Sequence, residues 1–301
     1  MKSMSVSRRT LLTGTVALGT VGLLAACGSS KEKVGGSAAN NAEDILKNLQ
    51  VNKQDRSSLK QGGTLTLAAT ALGPNFNLQT QSGYTSSNLD ALAPCNIAAV
   101  MGFYTMSPEG EGTLNPEFCT EHKTETVDGV QTATFKINPK AAFNDGTPID
   151  VNAVKSYQTI YTAAASGSDY QITPSPIWEQ VASVEAVDGD TRHVKVTMSK
   201  PWYPIEGSFT SFLHPAFADP KFFNDGLNDK PLDQYWAGPF KVGEWNSSSK
   251  VLTVVRNEKW WGQKPALERI TWREMSSQAE QAAYKNGEID YVDASTLSSY
   301  N

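Results

Sequence analysis

Cysteine and histidine are the residue types in this 301-residue chain best suited to covalent, redox or metal chemistry, and there are only three of each. Cys27 closes the run Leu24-Ala25-Ala26-Cys27 and precedes Gly28-Ser29-Ser30. Small residues ahead of a cysteine fit a signal peptidase, and the cysteine thiol accepts diacylglycerol; the run looks like a bacterial lipobox. The other reading is an A-x-A-type cleavage nearby, with Cys27 incidental. Cys95 and Cys119 would share the exported compartment, and an even remaining count predicts a disulfide between them. Two buried free thiols are the alternative. His122, His193 and His214 fall in no His-Glu-x-x-His pattern and no cysteine pair has ligand spacing, so no metal is expected. No G-x-S-x-G elbow, P-loop or dinucleotide fingerprint is present, so neither a cofactor nor an enzymatic activity is expected.

The segment around Cys27 reads as an address. Lys2, Arg8 and Arg9 precede a mostly apolar run from Leu11 to Ala26, the layout of a secretory signal. Ser7-Arg8-Arg9-Thr10-Leu11-Leu12 also resembles a twin-arginine signal, with Thr13 where such signals carry lysine; both export routes stay open. Residues 1–26 are thus expected to be a lipoprotein signal and residues 27–60, rich in Ser, Gly, Ala, Asn, Lys and Gln, a flexible tether. Each buried lipid methylene contributes about 0.8 kcal/mol, so an acylated Cys27 holds the module at the outer face of the cytoplasmic membrane.

Composition bounds the rest. The first 26 residues hold three basic groups and no acid, so 26 basic against 31 acidic residues become 23 against 31, and the charge moves from −5 to −8. That balance argues against a nucleic-acid partner. Apolar residues at 39% and charged residues at 19% are globular proportions.

The elements that must position any site are strands and helices in mixed order, predicting an α/β (mixed α+β) fold. Gly62 to Ala68 alternates as a strand, as do Gln131–Ile137, His193–Met198, Val251–Val255 and Ile270–Trp272. Ser86 to Tyr104 has helical spacing interrupted at Pro94, and Glu109 to Gly112 is a turn. Asp150 caps a helix with the stripe Val151, Val154, Tyr157, Ile160 and Tyr161. Ser277 and Glu280 predict a capping box for a helix closed by Gly287, and Ile289 and Tyr291 a following strand. His193 faces away from Val194 and Val196, and Asp225 to Asp233 reads as a solvated loop.

Two stretches carry a family resemblance. Phe143-Asn144-Asp145-Gly146-Thr147-Pro148-Ile149-Asp150-Val151-Asn152-Ala153-Val154 resembles the F-x-D-G-T-P-x-T-A-x-D-V segment of bacterial extracellular solute-binding proteins of family 5. These are the oligopeptide-, dipeptide- and nickel-binding subunits of ABC importers. Asp145-Gly146 makes a tight turn there and Asp150 caps a helix, so the segment reads as structural. Gly238-Pro239-Phe240-Lys241-Val242 through Arg256-Asn257-Glu258-Lys259-Trp260-Trp261-Gly262 is similar to the family's G-P-Y/F-x-L…R-N-x-x-Y-W run. Val184 to Pro201 fits the family's strand pair, and Asn286-Gly287-Glu288-Ile289-Asp290 its A-G-E-I-D element.

The resemblance implies a periplasmic-binding-protein-like type II fold, with a solute closed between two lobes. Residues 61–293 would be the first lobe, with an inserted subdomain at about 85–185, and residues 294–301 the start of the crossover to a second lobe. Family members continue well beyond the G-E-I-D element, so a fragment lacking that lobe is the expectation. The resemblance implies a peptide or other small solute and membrane permease subunits as partners. It places Ser82, Gly83 and Tyr84 at the loop that pairs with the solute, and Tyr170 where relatives offer an aromatic. Trp260 and Trp261 read as core. A surface lipoprotein that adheres or signals, and a secreted hydrolase whose carboxylates converge only in space, are the competing classes.

Overall fold

The alternating run after Gly62-Gly63 is strand β1 (Thr64–Ala69) in the computed structural model, which describes residues 54–100, 104–106, 112–172, 175–203, 205, 209 and 211–292. The signal, Cys27, most of the tether, the turn expected from Glu109, and residues 293–301 lie outside the described residues. Contacts divide the chain into one unit of residues 1–58 with 105–113 and a second of 59–104 with 114–301. A ribbon pairs β2 (Tyr104–Met106) with β3 (Gly112–Leu114), and within the first unit the hydroxyls of Thr105 and Thr113 meet at 2.9 Å.

The second unit holds two four-stranded sheets. One has the order β1-β10-β9-β8, from β8 (Phe240–Asn246), β9 (Val251–Arg256) and β10 (Arg269–Glu274), with β1 parallel to β10 and the other pairs antiparallel. The other is antiparallel throughout, with β4 (Cys119–Val127), β5 (Val130–Ile137), β6 (Val181–Val187) and β7 (Asp190–Met198) in the order β4-β5-β7-β6. Its two hairpins turn on Asp128-Gly129 and Asp188-Gly189, all four residues at positive φ. That is the backbone a two-residue primed turn demands and that Asp-Gly supplies.

Helix α1 (Ser86–Leu92) ends just before Pro94, and the short α2 (Ile97–Val100) resumes beyond it, so the proline breaks the predicted helix. Helix α3 (Val151–Ala165) starts at Asp150, whose carboxylate accepts from the Asn152 N–H at 2.8 Å. Its stripe Val151, Val154, Tyr157, Ile160 and Tyr161 is buried and packs with β6 and β7. The opposite sheet face is polar: Glu121 pairs with Lys136, and His193 lies half-buried beside Lys136 while Val194 and Val196 are fully buried. Helices α4 (Pro176–Glu179) and α5 (Pro220–Asp225) are short, and α6 (Ser277–Lys285) follows β10.

Three expectations are corrected. The cap of α6 is Ser276, whose hydroxyl accepts from the Ala279 N–H at 3.3 Å; with the start one residue earlier, Glu280 misses the capping-box position. No strand forms at Ile289–Tyr291 among the described residues. Asp290 alone reaches the edge of β1, its N–H donating to the Thr66 carbonyl at 2.8 Å and its carboxylate accepting from the Thr66 N–H at 2.7 Å. The Cys95–Cys119 bridge is not formed: both cysteines are free and fully buried. Cys95 sits in the corner after α1, and the Cys119 thiol contacts the Glu121 carbonyl at 3.0 Å, so each is packed by its own surroundings. Burial pushes the Cys119 thiol up to about 12 and the Cys95 thiol well above its ordinary value, which keeps both unreactive. With Cys27 replaced by Ala, thiol titration without reductant should find no reactive thiol in the native chain and two after denaturation; none after denaturation would restore the bridge.

Candidate functional site

The segment 73–84 has no apolar periodicity, and its shape comes from side-chain amides. Asn75 accepts from the Asn77 N–H at 2.9 Å and donates to the Asn224 carbonyl at 2.9 Å and the Ser82 hydroxyl at 3.3 Å. Asn77 accepts from the Gln79 N–H at 3.0 Å and donates to the Phe223 carbonyl at 2.7 Å. Asn88, fully buried on α1, accepts from the Gly73 N–H at 3.0 Å and donates to the carbonyls of Asn75 and Gly83, both at 3.1 Å. Buried amides with every group paired specify one loop conformation.

This scaffold places the four residues that the resemblance singles out. An isolated bridge between Thr80 and Ile172, with the Gln81 N–H on the Gln171 carbonyl at 3.3 Å, sets the Ser82–Tyr84 loop beside Tyr170. Ser82 is exposed, and Tyr84 is 59% exposed although its ring is large and partly apolar. Gly83 is buried, and its polar groups are committed within the loop. Its N–H donates to the Thr80 hydroxyl at 3.0 Å and its carbonyl accepts from Thr85 and Asn88. The close approach that glycine permits is to the chain itself: a Cβ at residue 83 would lie 2.1 Å from the Asn77 carbonyl oxygen. Tyr170 is half-buried, its hydroxyl donates to the Ala218 carbonyl, and its ring meets Phe223 edge-on at 5.2 Å.

Behind the loop lies a group of three aromatic rings, two of which the helical stripe marked only as core. Tyr157, Tyr161 and Trp178 are parallel within 9°, with centroids 5.3 to 6.2 Å apart. Burial pushes the Tyr161 hydroxyl up to about 12, and Tyr84 adds to the shift, so the two phenols are electrostatic neighbours. The surface at Ser82 and Tyr84 is therefore a rigid polar loop backed by aromatic rings, suited to hydrogen bonding and stacking. It carries no nucleophile paired with a base. Among the described residues no group of three or more His, Cys, Asp or Glu could hold a metal ion.

The two sequence motifs meet elsewhere, in the framework. Asn257 donates to Asn144 and to the Gly238 carbonyl, both at 2.8 Å, and Lys259 donates to the Asn144 carbonyl. Trp261 donates to the Glu117 carbonyl at 2.6 Å, and Trp260 and Trp261, both only partly buried, pack on the buried Phe118 at the margin of the core and not, as expected, within it. Asp225 to Asp233 is largely solvated, yet Leu227 within it is fully buried and Asp229 accepts from the Trp245 indole at 2.9 Å. No helix of the described residues is long and apolar enough to cross a membrane.

Comparison with known proteins agrees with this architecture. Residues 113–301 match the family described as bacterial extracellular solute-binding proteins, family 5 Middle. The oligopeptide-binding protein OppA of Mycobacterium tuberculosis is 32% identical over 251 residues, which is 82% of this chain and 41% of OppA. A periplasmic EDTA-binding protein, EppA, superposes with a TM-score of 0.68 at 21% identity, over 80% of this chain and 45% of its own. The oligopeptide-binding protein AppA of Bacillus subtilis, solved with a nonapeptide, gives 0.58 at 18% identity, over 77% and 44%. The chain thus spans less than half the length of these relatives, and the fold is that of a periplasmic binding protein of type II. With the family's model matching more than half of this chain and both motifs meeting in one framework, this chain belongs to the bacterial extracellular solute-binding proteins of family 5.

Proposed function

We propose that the chain forms the N-terminal lobe, residues 61–293, of an exported lipoprotein that captures peptides or similar small solutes and delivers them to an ABC permease. The observation carrying this reading is the Ser82–Tyr84 loop: a backbone locked by buried amides that leaves Ser82 and a 59% exposed tyrosine facing outward. An extended peptide added alongside such a loop is held through main-chain groups, which tolerates many sequences. Ser82 and Tyr84 are assigned direct contact with the solute, while Gly83 and Tyr170 hold them in place. AppA's nonapeptide supports a peptide-sized ligand in the fold.

One lobe leaves a ligand wet on its other side, so affinity depends on closure. Calorimetry of residues 28–301 against di- to pentapeptides should show nothing tighter than about 1 mM, roughly −4 kcal/mol. Joining residues 61–293 to the remaining length of the mycobacterial OppA should tighten binding at least about 100-fold, a gain of roughly 3 kcal/mol. A chimaera that folds by circular dichroism but ignores every peptide overturns the reading. The anchor is tested separately: a palmitate analogue fed to cells should label the wild type and not Cys27→Ala, and equal labelling of both removes lipidation from the proposal.

A further inference from the structure

His214 occupies the N-cap of the 3-10 turn Pro215–Ala218 and is only 7% exposed. Its Nδ1 accepts from the Ala216 N–H at 3.0 Å, and its Nε2 lies 3.1 Å from the Asp145 carboxylate. A backbone N–H can only donate, so Nδ1 carries no proton and Nε2–H donates to Asp145. The geometry fixes one neutral tautomer. The ring is held edge-on by Phe143 and Tyr235, each with a centroid distance of 4.9 Å. The charged and titratable groups around it come from the elements packed against its turn. Asp145 lies in the turn before α3, and Tyr235 and Asp233 in the 3-10 turn Asp233–Tyr235. Helix α3, which packs on the His214 turn, carries the exposed Lys155 and the buried Tyr157 and Tyr161. Helix α5 packs on that turn as well and carries the exposed Lys221 and Asp225, with the exposed Asp219 between turn and helix.

The far end of that turn bears on the proposed solute face, because the Ala218 carbonyl accepts from the Tyr170 hydroxyl. We propose that His214 is a proton-sensitive positioning residue: in its neutral form it caps the turn that fixes Tyr170, and on protonation it releases that turn. A proton on Nδ1 would face the Ala216 N–H donor to donor, so that contact must break. The imidazolium meanwhile gains an ion pair with Asp145 and keeps its place. The moving part is therefore the turn and, through Ala218, Tyr170. Burial lowers the affinity of His214 for a proton more than Asp145 raises it. A histidine held neutral by the fold contributes its full stability above the unfolded value of about 6.5 and loses it as pH falls through the lower folded value.

That Tyr170 serves a solute face rests on the proposed function, but the proton response does not and is measured without solute. In the full chain, ¹⁵N resonances should show His214 with Nδ1 unprotonated at neutral pH and titrating below about 6.5. The amides of Ala216 and Asp219 should shift with the same midpoint. His214→Asn keeps an N-cap acceptor but cannot titrate. From about pH 7.5 to 5, the thermal midpoint of the wild type should fall by ~3 °C more than that of His214→Asn, whatever the variant's absolute stability. An equal fall in both proteins, or His214 titrating at or above 6.5, overturns the proposal. The resonance measurement on the wild type decides the matter alone if the variant does not fold. A confirmed titration alongside a chimaera blind to peptide would leave the latch standing and remove only its link to solute.

Discussion

Gly83→Ala lowers the thermal midpoint by roughly 6–12 °C, the equivalent of about 3 kcal/mol. The cause is purely steric. Residue 83 is not at positive φ, so alanine meets no backbone strain, but its Cβ would lie 2.1 Å from the Asn77 carbonyl oxygen and 2.9 Å from the Thr80 hydroxyl. Backbone is the obstacle, and backbone here cannot give way, because Asn77 is pinned to Phe223 and Gly83 to Thr80 and Asn88. Relief comes only by parting residue 83 from Asn77 within the loop, which pulls the Gly83 carbonyl from the fully buried Asn88 amide and costs that amide an acceptor. Ser82→Ala, one residue away and exposed, removes the 3.3 Å acceptor of the Asn75 amide, which keeps the Asn224 carbonyl, and should cost no more than about 1 kcal/mol. Differential scanning calorimetry of both variants makes the comparison. A Gly83→Ala midpoint within 2 °C of the wild type, as an experimental threshold, would show that the loop is loose and unfit to present Ser82 and Tyr84.

The sequence announces the framework better than the site because the two are built from different signals. Strand alternation at Val130–Ile137 and the α3 stripe are local, repeated patterns, and burial follows them residue by residue. Asp145-Gly146 and Asp150 likewise act on neighbours two or three residues away, so a turn and a cap can be read without knowing the fold. The loop at 73–84 works differently. Asn75, Asn77 and Asn88 are ordinary polar residues in a row of polar residues, and their role lies in reaching Phe223, Asn224 and Gly83. The resemblance pointed to this loop as the solute contact, and nothing in it says that Gly83 approaches its own chain or that Tyr170 is tied to Ala218.

The misread details have a shared cause. A count of exported cysteines predicts pairing but holds no information about where either thiol points, and both are packed into apolar surroundings. A run of apolar residues at Ile289 and Tyr291 looks like a strand, yet the pairing reaches only Thr66 among the described residues. His214 shows no motif at all. Its partners Asp145 and Ala216 stand 69 and two residues away, and only the fold brings the first of them near.

Arg192→Ala should be the most damaging single replacement outside the loop, costing about 3 kcal/mol. Arg192 stands on β7, and its Nη1 donates to the carbonyls of Asn138 at 3.0 Å, Ala141 at 2.7 Å and Ile149 at 2.8 Å. One cation thereby gathers the end of β5 and both sides of the turn that leads into α3, where Ala141 and Ile149 are fully buried. Asp150 and Asp190 lie close enough to favour its charge against the burial that opposes it. Alanine removes the donor and leaves buried carbonyls short of a partner, a larger loss than the hydrogen bonds alone. Arg192→Lys retains a charge but replaces the planar fork by a strongly hydrated ammonium, so it should recover about half of the loss. In urea titrations the midpoint should fall with little change in slope, since the unfolded surface is the same. A guanidinium stays protonated throughout the accessible range, so the Arg192→Ala deficit should be constant from about pH 5 to 8. The pH-dependent fall assigned to His214 should then appear unchanged on top of it. A deficit under 0.5 kcal/mol would mean that the turn holds without Arg192, and one that varies with pH would mean that the two clasps are coupled.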